Sequence, residues 1–319
     1  MIVIGFNFPI EHDNAVAVIQ DGKLVFAIEE ERFTRHKHSI DEPPLNALKA
    51  AYKYLLKRGI KPKDVDAYAV NYDPLFYPLS QRKYWYGKNF QILVKNDVIP
   101  VPLINIDSII DSISSIEALF KITHDHLKGD YVSLASAMIK KVIHDLGETT
   151  PDKLRIYPVR HHLAHAASAY YFSGFSSATA IITDGVGETE STTIWKIKNG
   201  EFELISSVPL LFGSIGGLWD AISENLGFSW LEGPGKLMGL APYGSEDKDL
   251  LNKISSFFAL DNDDLPFKLT KTSLKADGWL LHKMLANEIT GGKISWDPKG
   301  PINPKVAAIA LALQSFTNK

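Results

Sequence analysis

Cysteine is absent from the 319 residues. Its absence removes disulfides, thiolate metal sites and a cysteine nucleophile from the possible chemistry. An excess of basic charge is missing as well: 34 Lys and Arg stand against 37 Asp and Glu, a formal net charge of -3. Such a balance leaves no electrostatic footprint for nucleic acid or for an anionic membrane surface. No apolar run is long enough to cross a bilayer. The N-terminus passes from Met1 straight into an apolar strand pattern, without the basic start and apolar core of a secretory signal. No internal repeat of fixed period is present. Together these absences predict a cytoplasmic protein, with no nucleic acid and no membrane expected as partner. Oligomeric state is not legible.

The patterns that are present read as α/β. Residues 2–8, 15–20 and 23–29 have strand character, the second and third joined by Asp21-Gly22, a tight-hairpin signal. Pro43-Pro44 opens a helix through about Leu56, and residues 65–70 return as a strand. This order suits a mixed sheet flanked by helices. Residues 73–146 differ, with Phe76, Tyr77, Tyr84, Trp85 and Tyr86 followed by helical patterns near 106–122 and 131–143. We read them as a largely helical insertion, in which His124 and His126 lack a third ligand and count as bystanders. Strands at 178–183, 192–198 and 202–208 then form an antiparallel meander, with Asn199-Gly200 as its hairpin turn. A helix at 215–226, a loop at 232–244 and an apolar helix at 305–316 follow. That last helix has almost no polar tail, and we expect the chain to be a fragment of something longer.

The densest chemistry lies between residues 159 and 188. His161 and His165 are four apart in an alanine-rich helical stretch, so both imidazoles leave one face. Asp184 closes the following strand. Two histidines and a carboxylate form the facial set of a divalent first-row metal with open positions. The bland alternative is a pair of histidines packing a core helix. A zinc peptidase is disfavoured, because the glutamate it needs after the first histidine is His162 here. In the turn Asp184-Gly185-Val186-Gly187-Glu188, Gly185 and Gly187 permit unusual dihedrals and offer backbone N–H groups to phosphate oxygens; the alternative is an ordinary hairpin turn. Asn7, His12 and Asp13 sit between the first two strands, and His12 can act as acid or base near neutral pH. Glu29 to His38 is a charge run, usually a solvated face, from which Lys37 can reach the cleft of His12. Gly233-Pro234-Gly235-Lys236 lacks the spacing of a Walker loop. It reads either as a rigid turn or as a backbone platform for a nucleotide, with Lys236 on a phosphate.

These segments together resemble the NodU/CmcH/TobZ family of O-carbamoyltransferases. The resemblance is carried by His12-Asp13, Asp21-Gly22-Lys23, the run Glu29-Glu30-Glu31-Arg32-Phe33-Thr34-Arg35 with Lys37, and His161-His162 with His165-Ala166-Ala167-Ser168-Ala169. Asp184-Gly185-x-Gly187-Glu188 and Gly235-Lys236-Leu237-Met238-Gly239-Leu240-Ala241-Pro242-Tyr243-Gly244 complete it. It implies an actin-like ATPase (ASKHA, ribonuclease H-like) fold. Residues 1–72 and 147–300 would be a first lobe, 73–146 the insertion, and 301–319 the start of a truncated second lobe. It implies transfer of a carbamoyl group from carbamoyl phosphate and ATP, through carbamoyl-adenylate, to a hydroxyl of a small-molecule or sugar acceptor. The implied metal is Fe2+, held by His161, His165 and Asp184, with His12 and Lys37 at the transfer site. Asn7, Asp13, Gly185, Gly187, Glu188, Gly233, Gly235 and Lys236 would line the nucleotide. The family's YrdC-like domain and a further metal-binding aspartate are missing here, so this chain is expected to be inactive alone. Two rivals are a tRNA threonylcarbamoyladenosine-type ATPase, against which the acidic balance counts, and a non-catalytic actin-like scaffold.

Overall fold

The structure, a computed structural model, describes residues 1–7, 12–73, 88, 91–93, 95–98, 126–210, 213–259, 268–270 and 278–318. The expected strand end at Phe8, the aromatic cluster 76–86, the helical pattern 106–122 and His124 lie outside them. The chain divides into two compact units, Met1–Ala164 and His165–Lys319. The division falls inside one helix, His161–Ser173.

In the first unit β1 (Ile2–Phe6), β2 (Ala15–Gln20) and β3 (Lys23–Glu29) form an antiparallel run. The short helix α1 (Glu31–Thr34) and helix α2 (Leu45–Leu56) follow, before β4 (Ala67–Val70) pairs parallel with β1. After helix α3 (His126–Asp145), β5 (Ile156–Pro158) pairs parallel with β4. The sheet order is β3-β2-β1-β4-β5, a mixed sheet as the element order predicts. Alternation explains the register: Ile2, Ile4 and Phe6 of β1 and Val16 and Val18 of β2 are buried, while their neighbours in sequence are not. Against that face α2 turns Ala47, Leu48, Ala51, Tyr52 and Leu55, spaced three and four apart. α3 adds Met138, Ile139, Val142 and Ile143 to the same core. Each such buried aliphatic side chain contributes roughly 1.5–3 kcal/mol.

In the second unit, helix α4 (His161–Ser173, its first turn in the first unit) leads to the meander β6 (Ser177–Thr183), β7 (Glu190–Lys198) and β8 (Glu201–Pro209). Helices α5 (Ile215–Asn225), α6 (Gly233–Leu240) and α7 (Lys248–Ser255) follow. A small ladder pairs β9 (Phe258–Ala259) with β10 (Lys268–Leu269), and α8 (Gly278–Thr290) and α9 (Pro304–Thr317) complete the unit. Leu218, Ile222, Leu237, Leu281, Leu285, Val306, Ile309 and Leu313 form a second core. No helix among the described residues is long and apolar enough to cross a membrane.

One local expectation is overturned. Residues 233–240 are helix rather than loop. Pro234 stands in the first turn, where its fixed φ suits a helix and its missing N–H has no partner to lose.

Candidate metal centre

Helix α4 buries one stripe and leaves another for chemistry. His162, Ala166 and Tyr170, each four apart, are buried. His161 and His165 lie one residue back on the helical wheel, a turn apart on a neighbouring stripe. The Tyr72 ring stacks on the imidazole of His161, centroids 4.3 Å apart and planes 16° off parallel. Asp184 follows the last residue of β6, and its N–H still donates to Ser191 O at 2.9 Å across the ladder. Its Oδ2 lies 3.5 Å from His165 Nε2, and its Oδ1 accepts from Gly185 N at 2.6 Å. One ligand atom from each of His161, His165 and Asp184 lies within 4.8 Å of the others. Two metal–ligand bonds of about 2.0–2.2 Å span at most about 4.4 Å, so the set is at most a few tenths of an ångström wider than a bound ion needs. Imidazole and carboxylate donors suit a first-row divalent cation. The three residues read as ligands are thus brought together.

The glycine turn behaves differently from its reading. Gly185 N is engaged by its neighbour's carboxylate, and Gly187 N donates to Glu190 O at 2.7 Å. Neither N–H stands free for a phosphate, and neither glycine adopts a positive φ. Glu188, between them and β7, is buried. Gly233 also serves packing: a Cβ there would meet Ser223 Oγ at 2.4 Å, whereas one on Gly235 would meet nothing within 4 Å. Lys236 pairs with Glu232 one turn back on the same helix.

His12 and Asp13 form a second group, wholly within the first unit. Asp13 takes a left-handed φ of 51° and bridges two imidazoles, with Oδ2 2.9 Å from His12 Nδ1 and Oδ1 2.7 Å from His38 Nδ1. The hydrogen bond from His12 foremost, and that from His38, hold the Asp13 carboxyl below its ordinary range against the opposing effect of burial. Asn7 Nδ2 donates to His12 O at 2.8 Å and so braces this loop. Lys37 heads the turn Lys37–Ser39, one residue before His38.

Two residues escape sequence reading here. His38 is hidden in a charge run, and only its φ of 64° turns the ring toward Asp13. Glu30, in the same run, is 1% exposed. Its carboxylate accepts from Asn46 N and Nδ2 and from Ala47 N, at 3.1, 2.6 and 2.7 Å, and so satisfies the open N-terminus of α2. Burial pushes the Glu30 carboxyl up, and those donors oppose the shift. The sequence clue is the adjacency of an acidic run to a helix that opens on Pro43-Pro44 with no side-chain cap of its own.

The family described as carbamoyltransferase N-terminus matches residues 3–96 and 104–286. An uncharacterized protein of Synechocystis sp. is 30% identical, over 97% of this chain and 45% of that protein. A second, from Methanocaldococcus jannaschii, is 28% identical over 80% of this chain and 44% of its own length. The nodulation protein NolNO of Sinorhizobium fredii is 26% identical over 79% of this chain and 30% of its own. The chain therefore spans less than half the length of these curated relatives.

Proposed function

The chain belongs to the carbamoyltransferase N-terminus family, and from that premise we propose that it is the acceptor-side part of an enzyme moving a carbamoyl group to a hydroxyl of a small molecule or sugar. The observation that carries the reading is the convergence of His161, His165 and Asp184. These residues would hold Fe2+, whose chemistry when bound is that of a Lewis acid beside a developing oxyanion. The mixed sheet flanked by helices, and the hairpin run that each unit repeats, support an actin-like fold for it.

The step is a nucleophilic acyl substitution. The acceptor oxygen forms a bond to the carbamoyl carbon of carbamoyl-adenylate, itself made from carbamoyl phosphate and ATP. The bond from that carbon to the phosphate oxygen breaks, AMP leaves with the electron pair, and the acceptor hydroxyl gives up its proton. His12 suits the role of proton acceptor. With its Nδ1–H donated to Asp13, its Nε2 carries a lone pair. Asp13 stabilises the imidazolium that forms, much as a buried carboxylate does for a general-base histidine elsewhere. Lys37, adjacent to His38, supplies positive charge for the leaving phosphate. Among the residues read as nucleotide ligands, Asn7 and Asp13 act here through their bonds to His12, and Lys236 would have to exchange its Glu232 partner for an incoming phosphate. A YrdC-like domain would form the adenylate.

Metal analysis tests the reading. Protein purified without chelator should carry bound divalent metal, and His165→Ala should lose at least about tenfold in affinity. Equal metal content in both would remove the assignment.

A further inference from the structure

Asp184 is held in place by residues that take no part in the chemistry above. The peptide joining Asp184 to Gly185 lies against the first turn of α5. A Cβ on Gly216 would stand 2.6 Å from Gly185 N, 2.7 Å from Asp184 C and 2.8 Å from Asp184 O. All three are backbone atoms, so no side-chain rotation relieves the overlap. Ser214, the fully buried cap of α5, places its Oγ 3.0 Å from Asp184 O and 2.7 Å from Gly185 O, while accepting from Gly217 N at 2.9 Å. The N–H of Ser214 in turn donates to Nε2 of His282 at 2.8 Å. His282 comes from α8 and is fully buried. Because that nitrogen accepts, the ring carries its proton on Nδ1. Gly217 completes the enclosure, since a Cβ there would approach His282 Nδ1 to 3.0 Å.

We infer that Ser214, Gly216 and His282 are positioning residues for the Asp184 carboxylate: they clamp the Asp184–Gly185 peptide, and through it the carboxylate's aim at His165. The link from peptide to carboxylate is direct, because Gly185 N donates to Asp184 Oδ1 at 2.6 Å. The inference rests on the metal reading of His161, His165 and Asp184. Magnitude decides its importance. A methyl on Gly216 would sit roughly 0.8 Å inside the 3.4 Å at which ordinary contact begins. Metal–ligand distances tolerate about 0.2 Å. The displacement exceeds that tolerance several times over, so the carboxylate leaves its ligating position before the fold is lost.

Co2+ is the probe, titrated into the 319-residue chain and followed by its visible d–d absorption, with circular dichroism as the check on folding. The Gly216→Ala variant should bind Co2+ at least about tenfold more weakly than wild type, with a shifted visible spectrum. Gly239→Ala, on a helix position with nothing within 4 Å, should match wild type in both. Should Gly216→Ala not fold, His282→Leu and His282→Gln give the same reading. Leu removes the acceptor for Ser214 N and should weaken Co2+ binding; Gln restores an acceptor and should recover it. Equal affinity and spectrum in wild type, Gly216→Ala and His282→Leu would overturn the inference while leaving the ligand assignment intact. Wild type binding Co2+ no better than His165→Ala would remove the ligand assignment and the inference with it.

Discussion

Asp13 shows how far single residues can be read in advance. Its neighbour His12 is legible as a titrating group, but the second imidazole on the same carboxylate, His38, is not, because a left-handed turn brings it there. The pairing has a consequence for pH. The folded state holds the Asp13 carboxyl below its ordinary value of 3.8. Its contribution to stability is therefore present above that value and is lost as pH falls through the lower folded value. Urea midpoints measured across the acid range should fall less steeply with acid in Asp13→Asn than in wild type; identical slopes would contradict the pairing. Glu30 gives a larger effect. Glu30→Ala leaves three donors at the head of α2 without their acceptor, and stability should drop by about 1–3 kcal/mol in denaturant unfolding. The grouping of His161, His165 and Asp184 was legible because one spacing and one strand end suffice to bring them together. Gly216 and His282 were not, since their roles exist only once α5 and α8 are packed.

At the scale of elements, turn chemistry carried further than loop reading. Asp21-Gly22 and Asn199-Gly200 each take two positive φ values, 51° and 78°, and 50° and 82°. Both are the primed turn that the right-handed twist of a hairpin demands. The strands they join follow from alternation alone. Residues 233–240 misled because glycine and proline together argue for a turn, while burial of Leu237 and Gly233 beneath α5 makes the segment helical. The helix yields a paired prediction. Gly233→Ala drives a methyl into Ser223 and Phe228 and should cost about 1–3 kcal/mol. Gly235→Ala meets open space and should gain about 0.5–1 kcal/mol by lowering backbone entropy in the unfolded chain. Thermal melts should move in opposite directions; parallel shifts would mean that the helix is wrongly placed.

Among the described residues there are two cores, one in each unit. Ile139→Ala in the first and Leu313→Ala in the second, both fully buried, should each cost about 2–5 kcal/mol. Hydrogen exchange should report the loss chiefly in the unit that carries the substitution; uniform loss throughout would argue for a single cooperative body. Class and family were legible at this scale because ordered motifs survive without coordinates. The acceptor was not, because the residues that would select it belong to no pattern that composition or spacing reveals. Everything proposed for the chemistry depends on two imidazoles and one carboxylate sharing one cation. X-ray absorption at the metal edge of the Fe2+-loaded chain measures that directly. The expected result is a first shell near about 2.0–2.2 Å with the multiple scattering of two imidazoles, one of which disappears in His165→Ala. A shell of oxygen donors alone, unchanged by His165→Ala, would contradict it.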